Sequence, residues 1–283
     1  MVSTIPIVAL VDGLALGLSL FLLSSGLTIV FGLLGIVNFA HGSLFMWGAY
    51  IGYYVASTTG SFSLGIIAGL ASMAIIGGLI KIGLLRDAHE RPLAAAMLTI
   101  GLMFLFDRLA LLIWGESTRM WGPRFLDGTI SIGNIIFYKY RLFLIGVGII
   151  LFSFIYLLIK YSSFGIIVRA GIQDKEMVEA LGINFDRVAT WTFMLGAGLA
   201  GMSGFFFVPW IGVNPSTGMT FLLYAFAIVV IGGIESIEGT LIASIIVGII
   251  QQYTMYYLPW LAEAVIFVLM LIVLLIKPYG LTR

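Results

Sequence analysis

Two short polar interruptions break an otherwise apolar sequence, and each is bracketed by glycines seven residues apart. The first carries an amide and an imidazole, and the second carries two carboxylates and a hydroxyl. A charged group at the centre of a bilayer is costly, so it needs a partner or a function, such as binding an ion, a proton or a polar solute. The candidate translocation residues are Gly35, Asn38, His41 and Gly42 in the first break, and Gly232, Gly233, Glu235, Ser236, Glu238 and Gly239 in the second break.

These breaks have two interpretations. Paired, glycine-interrupted apolar segments indicate a transport path, because irregular backbone at membrane depth is tolerated only where protein or a water-filled cavity covers it. A shift of 197 residues superposes Gly35 on Gly232, and span parity puts both breaks on one side, so a repeat between them is expected to be parallel. The alternative is a pair of ordinary turns with solvated Glu235 and Glu238. For His41, a packing hydrogen bond and a proton relay both stay open.

The elements that carry the breaks are membrane helices. Of 283 residues, 61% are hydrophobic and 10% are charged, whereas soluble domains carry about 25% charged residues. Long apolar runs fit helices that cross a hydrocarbon core of about 30 Å. The sequence predicts an all-α polytopic bundle of eight to ten spans, forming a single transmembrane domain over 1–283. The predicted spans are 7–33, 43–57, 62–85, 93–114, 142–160, 189–213, 219–234, 240–257 and 260–277.

Basic residues predict the direction of these spans. They cluster in three segments, from Lys81 to Arg91, from Lys160 to Arg187, and from Lys277 to Arg283, and nine spans place all three on the same side. By the positive-inside rule that side is the cytoplasm, which also holds the C-terminus. The segment 115–141 carries basic residues as well, although parity places it outside.

Small residues predict close helix packing. The stretch FMLGAGLAGMSGF puts Ala197 four residues before Gly201, and Ala200 four residues before Gly204. This spacing aligns small side chains on one helical face and lets another backbone approach closely. Tight packing is the simpler interpretation, and a glycine surface that lines a moving gate is the alternative.

A charged island at 161–188 stands apart from the apolar spans. Its apolar and charged residues alternate at helical spacing, which predicts a short amphipathic helix that ends at Gly182. The helix could lie on lipid, pack on its own protein or fit a groove of a soluble partner. Asp174, Glu176 and Glu179 argue against an anionic lipid surface. The chain has no GxxxxGK[ST] motif, so ATP-driven transport would need another subunit.

Several motifs in order resemble the permease subunits of high-affinity branched-chain amino acid ABC importers, the LivH type. They are GLTIVFGLLGIVNFAHGSLFMWGAY from Gly26 to Tyr50, RAxxxDxExxxAxGI from Arg169 to Ile183, GLAGMSGFFF, and IVVIGGIESIEGTLIASIIVG from Ile228 to Gly248. The resemblance implies a fold related to the many-helix importer permeases. It further implies a bacterial or archaeal cytoplasmic membrane location. Glu235 and Glu238 depart from the family's small or neutral residues.

The same resemblance implies the partners. They are a homologous LivM-like permease, two subunits that bind ATP, and a periplasmic or lipid-anchored substrate-binding protein. The island then acts as the coupling segment that docks into an ATPase subunit. Its implied coupling residues are Arg169, Asp174, Glu176, Glu179, Ala180 and Gly182.

The predicted function is therefore a translocation path for branched-chain or other hydrophobic amino acids. A permease for urea, short amides or another small organic solute is an alternative within the class. An ion-coupled secondary transporter or a channel is an alternative outside it. The chain has neither HExxH nor GxSxG, so no catalytic residue, metal site or cofactor is predicted in it. With a net charge of +1, no nucleic-acid partner is expected either, and membrane lipid surrounds the spans.

Overall fold

The computed structural model describes residues 5–35, 37–86 and 91–282, and most of them are helical. Each predicted span corresponds to one helix, and the island holds two further short helices. The helices are α1 Ile5–Leu34, α2 His41–Thr59, α3 Phe62–Gly83, α4 Pro92–Trp114, α5 Lys139–Tyr161, α6 Ser163–Gln173, α7 Lys175–Ala180, α8 Phe185–Ile211, α9 Thr217–Gly232, α10 Ile237–Tyr257 and α11 Val265–Ile276, with 3-10 turns at Arg124–Leu126 and Pro259–Leu261.

Six of these helices, α1, α3, α4, α5, α8 and α10, are long and apolar enough to cross a membrane by length and composition. The apolar helices α9 and α11 are shorter, and α2 has 19 residues. A polytopic helical bundle is therefore confirmed, and the predicted count of eight to ten spans is compatible with it.

A small antiparallel hairpin accompanies the helices. Strand β1 (Thr129–Ile132) pairs with strand β2 (Ile135–Tyr138), with Thr129 opposite Tyr138. The prediction contained no strands because these four-residue segments lie inside a connection between spans. The hairpin leaves the fold class unchanged, since its two strands are short and only Phe137 of their residues is buried.

Two halves of the chain pack in the same way. The helix α1 packs mainly on α10, and α8 packs mainly on α3. Thus the first helix of each half covers the third helix of the other half. Also, α2 contacts α9, α1 contacts α8, and the fourth helix of each half, α4 or α11, contacts the second helix of its own half.

The halves run in opposite directions through the bundle. Close approaches of Gly26 to Gly196 and of Ser19 to Ser203 make α1 and α8 antiparallel, and Ser203 Oγ donates to the Ser19 carbonyl at 3.0 Å. An inverted pair of helical repeats, α1 to α4 and α8 to α11, follows from this packing. The parallel repeat expected from the 197-residue shift is not the arrangement that the helices adopt.

The two ends of the bundle hold different charged segments. Lys81 Nζ lies 3.7 Å from Asp186, so the end of α3 adjoins the island. The amide of Leu281 donates to the carbonyl of Ile231 at 2.8 Å, and the neighbouring turn 233–236 lies beside the end of α1. The three basic groups therefore share one end, which we call the island face. The opposite face holds the hairpin and the ion pair of Asp12 with Arg141 at 3.8 Å.

Candidate translocation site

The first polar break turns back into the bundle. The helix α1 ends at Leu34, and Gly35 follows with φ of 63°, a left-handed conformation that favours glycine. His41 begins α2, and its Nε2 donates to the Leu23 carbonyl at 3.0 Å. Leu23 lies eleven residues before the end of α1, which corresponds to about 16 Å along the helix. The second helix thus begins deep inside the bundle.

The polar side chains of this break are enclosed. His41 is 0% exposed and Asn38 is 2% exposed. Asn38 Oδ1 accepts from the Ala40 amide at 3.1 Å, which stabilises the turn before α2. Asn38 Nδ2 and His41 Nδ1 have no hydrogen-bond partner among the described residues. The packing bond proposed for His41 is therefore present, and hydrogen-bonding capacity remains at both side chains.

A second re-entrant segment lies between α8 and α9, before the short apolar segment 219–234 whose length is compatible with a half-helix. Asn214 organises it, because its Oδ1 accepts from the Ser216 amide at 3.0 Å and from the Thr217 hydroxyl at 3.1 Å. Asparagine, proline and serine at 214–216 are the sequence signal for such a turn. The helix α9 then starts inside the bundle, which explains why it is short.

The two re-entrant helices cross at a pair of glycines. Gly42 in the first turn of α2 faces Gly218 in the first turn of α9. A Cβ at Gly42 would overlap the Gly218 carbonyl and lie 2.6 Å from Leu222 Cβ. Because each glycine faces the other, the crossing lies on the pseudo-twofold axis that relates the two halves. Gly42 is therefore required by close approach of two backbones.

Aromatic rings pack beside this crossing. Phe45 stacks on Phe221 with ring centroids 4.6 Å apart, and Phe207 lies 4.6 Å from Phe221 and 5.7 Å from Phe45. All three side chains are buried. The crossing is thus a closed, largely apolar layer that contains Asn38 and His41.

The second predicted break, Gly232 to Gly239, has a different structure. It is a tight turn at the island face in which Glu235 and Glu238 are exposed. Ser236 Oγ accepts from the Gly239 amide at 2.9 Å and caps α10. Gly232 and Gly239 pack against each other where α9 meets α10. The turn interpretation therefore describes this segment.

Open clefts lie on both sides of the crossing. On the island face, Gly35, Gly233, Glu235 and Ser236 line a cleft of about 600 Å³. At the opposite face, α4 and the segment 214–216 enclose a cleft of about 460 Å³. Ser43, in the first turn of α2, reaches the second cleft through a hydrogen bond to Asp107 at 2.8 Å. The closed layer around Gly42 thus lies between two open clefts.

The remaining candidates near the path occupy distinct positions. Glu238 lines a small neighbouring cavity of about 140 Å³ together with Lys160 and Arg169. Gly232 and Gly239 take part in the packing of α9 on α10 rather than in a cleft wall. The structure therefore brings Gly35, Gly233, Glu235 and Ser236 together but separates them from the buried break residues.

The small residues of α8 lie at helix contacts. Gly201 faces the Gly69 carbonyl and Met73 of α3, and Gly204 faces the Phe45 backbone of α2. Ala197 lies under Gly77 of α3, and Ala200 is fully buried. These positions hold α8 against both α2 and α3, so the small residues pack α8 at the centre of the bundle.

The island forms two helices where a single helix was predicted. The chain bends at Asp174, whose Oδ1 accepts from the Met177 amide at 2.9 Å and caps α7. Gly182 follows α7 with φ of 82°, in agreement with the predicted helix end. Val168 and Val178 are buried against the protein core. One side of the island therefore packs on its own protein.

The other side of the island is exposed. Met177 is 58% exposed and Leu181 is 72% exposed, and Glu176, Glu179 and Ala180 are exposed next to them. Lys175 pairs with Glu179 at 3.9 Å within α7. Arg169 donates to the Lys160 carbonyl at 3.1 Å and joins the island to α5. The segment 175–182 thus presents apolar and acidic side chains together. Its inner side is held to the protein by the buried Val178 and, through α6, by Val168 and Arg169.

An inverted pair of helical repeats with re-entrant helices at its centre is the architecture of a multi-pass membrane transporter. Comparison with known proteins identifies the family. Residues 9–274 match the family described as the permease component of the branched-chain amino acid transport system, and the chain belongs to it. It is therefore a transport subunit.

The chain is similar along its length to curated relatives. The high-affinity branched-chain amino acid transport system permease protein LivH of Escherichia coli K12 is 29% identical over 95% of this chain and 92% of the relative. The corresponding BraD of Pseudomonas aeruginosa is 30% identical, covering 96% and 94%. A probable LivH of Methanocaldococcus jannaschii is 28% identical, covering 93% and 88%. No solved structure matches the chain.

Proposed function

We propose that this chain forms the translocation path for branched-chain amino acids in an ATP-driven importer. The observation that carries the proposal is the closed layer around Gly42 and Gly218 between two open clefts, in a chain of this permease family. A solute path must be closed at one end while it is open at the other, and inverted repeats can exchange those states by rocking. The two clefts and the closed layer between them fit this requirement.

The power comes from separate subunits. The segment 175–182 offers exposed Met177 and Leu181 as apolar anchors and Glu176 and Glu179 as a charged rim, which suits a groove on a soluble protein. We assign this partner as one of two ATPase subunits, so that ATP binds outside this chain. The island face is then cytoplasmic and holds the C-terminus.

The other partners follow from the same assignment. A periplasmic or lipid-anchored binding protein delivers the amino acid to the opposite face, near the cleft beside α4. A homologous LivM-like permease lies next to this chain in the cytoplasmic membrane and completes the path. Closure of the ATPase subunits moves α7, and the island transmits this movement through Val178 and Val168 to the helices it covers.

Reconstitution tests the transport function. The permease, its partner permease, the ATPase subunits and the binding protein are placed in liposomes, and labelled leucine and labelled urea are offered separately. We expect ATP-dependent uptake of leucine and none with a hydrolysis-deficient ATPase. ATP-dependent uptake of urea alone would contradict the assigned solute, and uptake driven by an ion gradient without ATPase would contradict the mechanism.

Charge reversal tests the docking segment. The double variant Glu176→Lys with Glu179→Lys should lose most leucine uptake and co-purify poorly with the ATPase, while the bundle stays folded. The matched control is Asp127→Lys, an exposed acid at the opposite face. Uptake by the double variant equal to that of the control would contradict docking at α7.

A further inference from the structure

The cleft at the opposite face contains charges that the closed layer lacks. Asp107 and Arg108 lie within the apolar span α4, and Glu116 follows the end of that span. Asp107 lies seven residues before Trp114, or about 10 Å along the helix from its end. Ionisable groups at such depth are expensive and usually mark a solute or ion pathway. These charges therefore need an explanation.

The contacts that Asp107 and Arg108 make within the chain leave both side chains able to bind a ligand. Asp107 Oδ1 accepts from Ser43 Oγ at 2.8 Å, which orients the carboxylate and leaves its second oxygen open to a ligand. Arg108 makes no ion pair or hydrogen bond with the residues that the structure describes. A carboxylate and a guanidinium thus line one cleft, close enough for their charges to interact but without a direct ion pair between them.

The remaining walls of the cleft are apolar, and its volume suits a small molecule. Phe104 and Leu111 lie on the same face of α4 and line the cleft beside the charges. Its volume of about 460 Å³ lies within the range of small-molecule sites, about 300–1,000 Å³. The cleft therefore combines the carboxylates of Asp107 and Glu116 with the Arg108 guanidinium and an apolar wall.

We propose that this cleft binds the zwitterionic head group of a free amino acid as it enters the path. Asp107 accepts hydrogen bonds from the α-ammonium group, Arg108 donates to the α-carboxylate, and Phe104 and Leu111 contact the aliphatic side chain. Ser43 orients Asp107 from the first turn of α2. Occupancy is thereby linked to the helix that starts at His41, within the closed layer. This inference rests on the proposed transport of branched-chain amino acids.

The test uses the reconstituted importer with its binding protein. Arg108→Gln and Asp107→Asn are compared with Arg124→Gln and Asp127→Asn, which neutralise exposed charges at the same end of the bundle. Labelled leucine uptake and the ATP hydrolysis stimulated by the loaded binding protein are measured together. Loss of one charge-assisted bond predicts a fall in uptake of about ten-fold or more, while stimulated hydrolysis persists. Arg108→Lys should retain much of the uptake because it keeps the charge.

Each outcome distinguishes a different failure. Uptake by Arg108→Gln equal to that by Arg124→Gln would overturn the site. A parallel fall in uptake, stimulated hydrolysis and co-purification of the partner permease would also overturn it, because Arg108 would then contact that subunit. Absence of leucine uptake by the wild-type importer would instead contradict the proposed function.

Discussion

The segments 35–42 and 232–239 share a pattern of glycines and polar residues but lie at different depths in the structure. The first enters the bundle and buries Asn38 and His41, whereas the second is a surface turn that exposes Glu235 and Glu238. The pattern alone does not determine depth. What differs is the covering structure, since α9 and α4 pack over the first segment and the second faces the island cleft.

The closing glycine of the first segment provides the largest test of this difference. Gly42→Leu would place a side chain into the Gly218 carbonyl and Leu222, so α2 and α9 must separate. Overpacking of this kind costs about 1–3 kcal/mol or more in the free energy of unfolding. We expect a clearly lower thermal unfolding temperature and loss of uptake.

A matched control keeps the Gly42 prediction specific. Gly101→Leu introduces the same side chain into α4, where an added Cβ meets no atom within 4 Å. We expect this variant to unfold near the wild-type temperature. Equal destabilisation of both variants would show that the crossing of α2 and α9 is not closely packed.

Replacement of the buried His41 imidazole is expected to give the next largest loss of stability. His41→Leu leaves the Leu23 carbonyl without its donor inside the bundle, which costs about 1–3 kcal/mol. His41→Gln offers an amide donor and should recover part of the loss. Thermal unfolding of the three purified proteins measures both changes. A leucine variant as stable as the wild type would mean that the bond to Leu23 does not hold α2 in place.

Loss of the Ser236 helix cap in the surface turn is also expected to lower the free energy of unfolding, though by less than His41→Leu. Ser236→Ala removes the side-chain acceptor for the Gly239 amide at the start of α10, and loss of a helix cap costs about 1 kcal/mol. Ser236→Asp restores an acceptor and should recover most of this stability. The same unfolding assay applies, and an alanine variant less stable than His41→Leu would reverse the ranking of the two segments.

The sequence predicted the helices well because apolar length determines them. It also placed the island outside the spans and ended its helix at Gly182. The sequence could not predict the inverted repeat, because helix pairing depends on the fit between helix surfaces. The two repeats therefore need almost no identical residues at equivalent positions. Gly42 with Gly218 and Phe45 with Phe221 are two aligned pairs, separated by the same interval in the chain.

The cleft was missed for a related reason. Asp107 and Arg108 are neighbours within one apolar span, and pairing across helices or snorkelling explains such charges without a binding site. The contact that gives Asp107 a context comes from Ser43, on a different helix. Likewise, the turn at 214–216 has ordinary turn residues, and only the start of α9 against Gly42 shows that it enters the bundle.

The smallest effect belongs to the exposed carboxylates. Glu235→Gln with Glu238→Gln removes two charges at the surface, where substitutions usually change stability by about 0.5 kcal/mol or less. Glu238 lies in the first turn of α10 and favours its dipole, so a loss of a few tenths of a kcal/mol is expected. Leucine uptake should stay near the wild-type rate, because a solvated carboxylate at the cleft mouth imposes no buried charge on the path. Uptake that falls as far as in Gly42→Leu would instead place both breaks in one functional unit, despite their different depths.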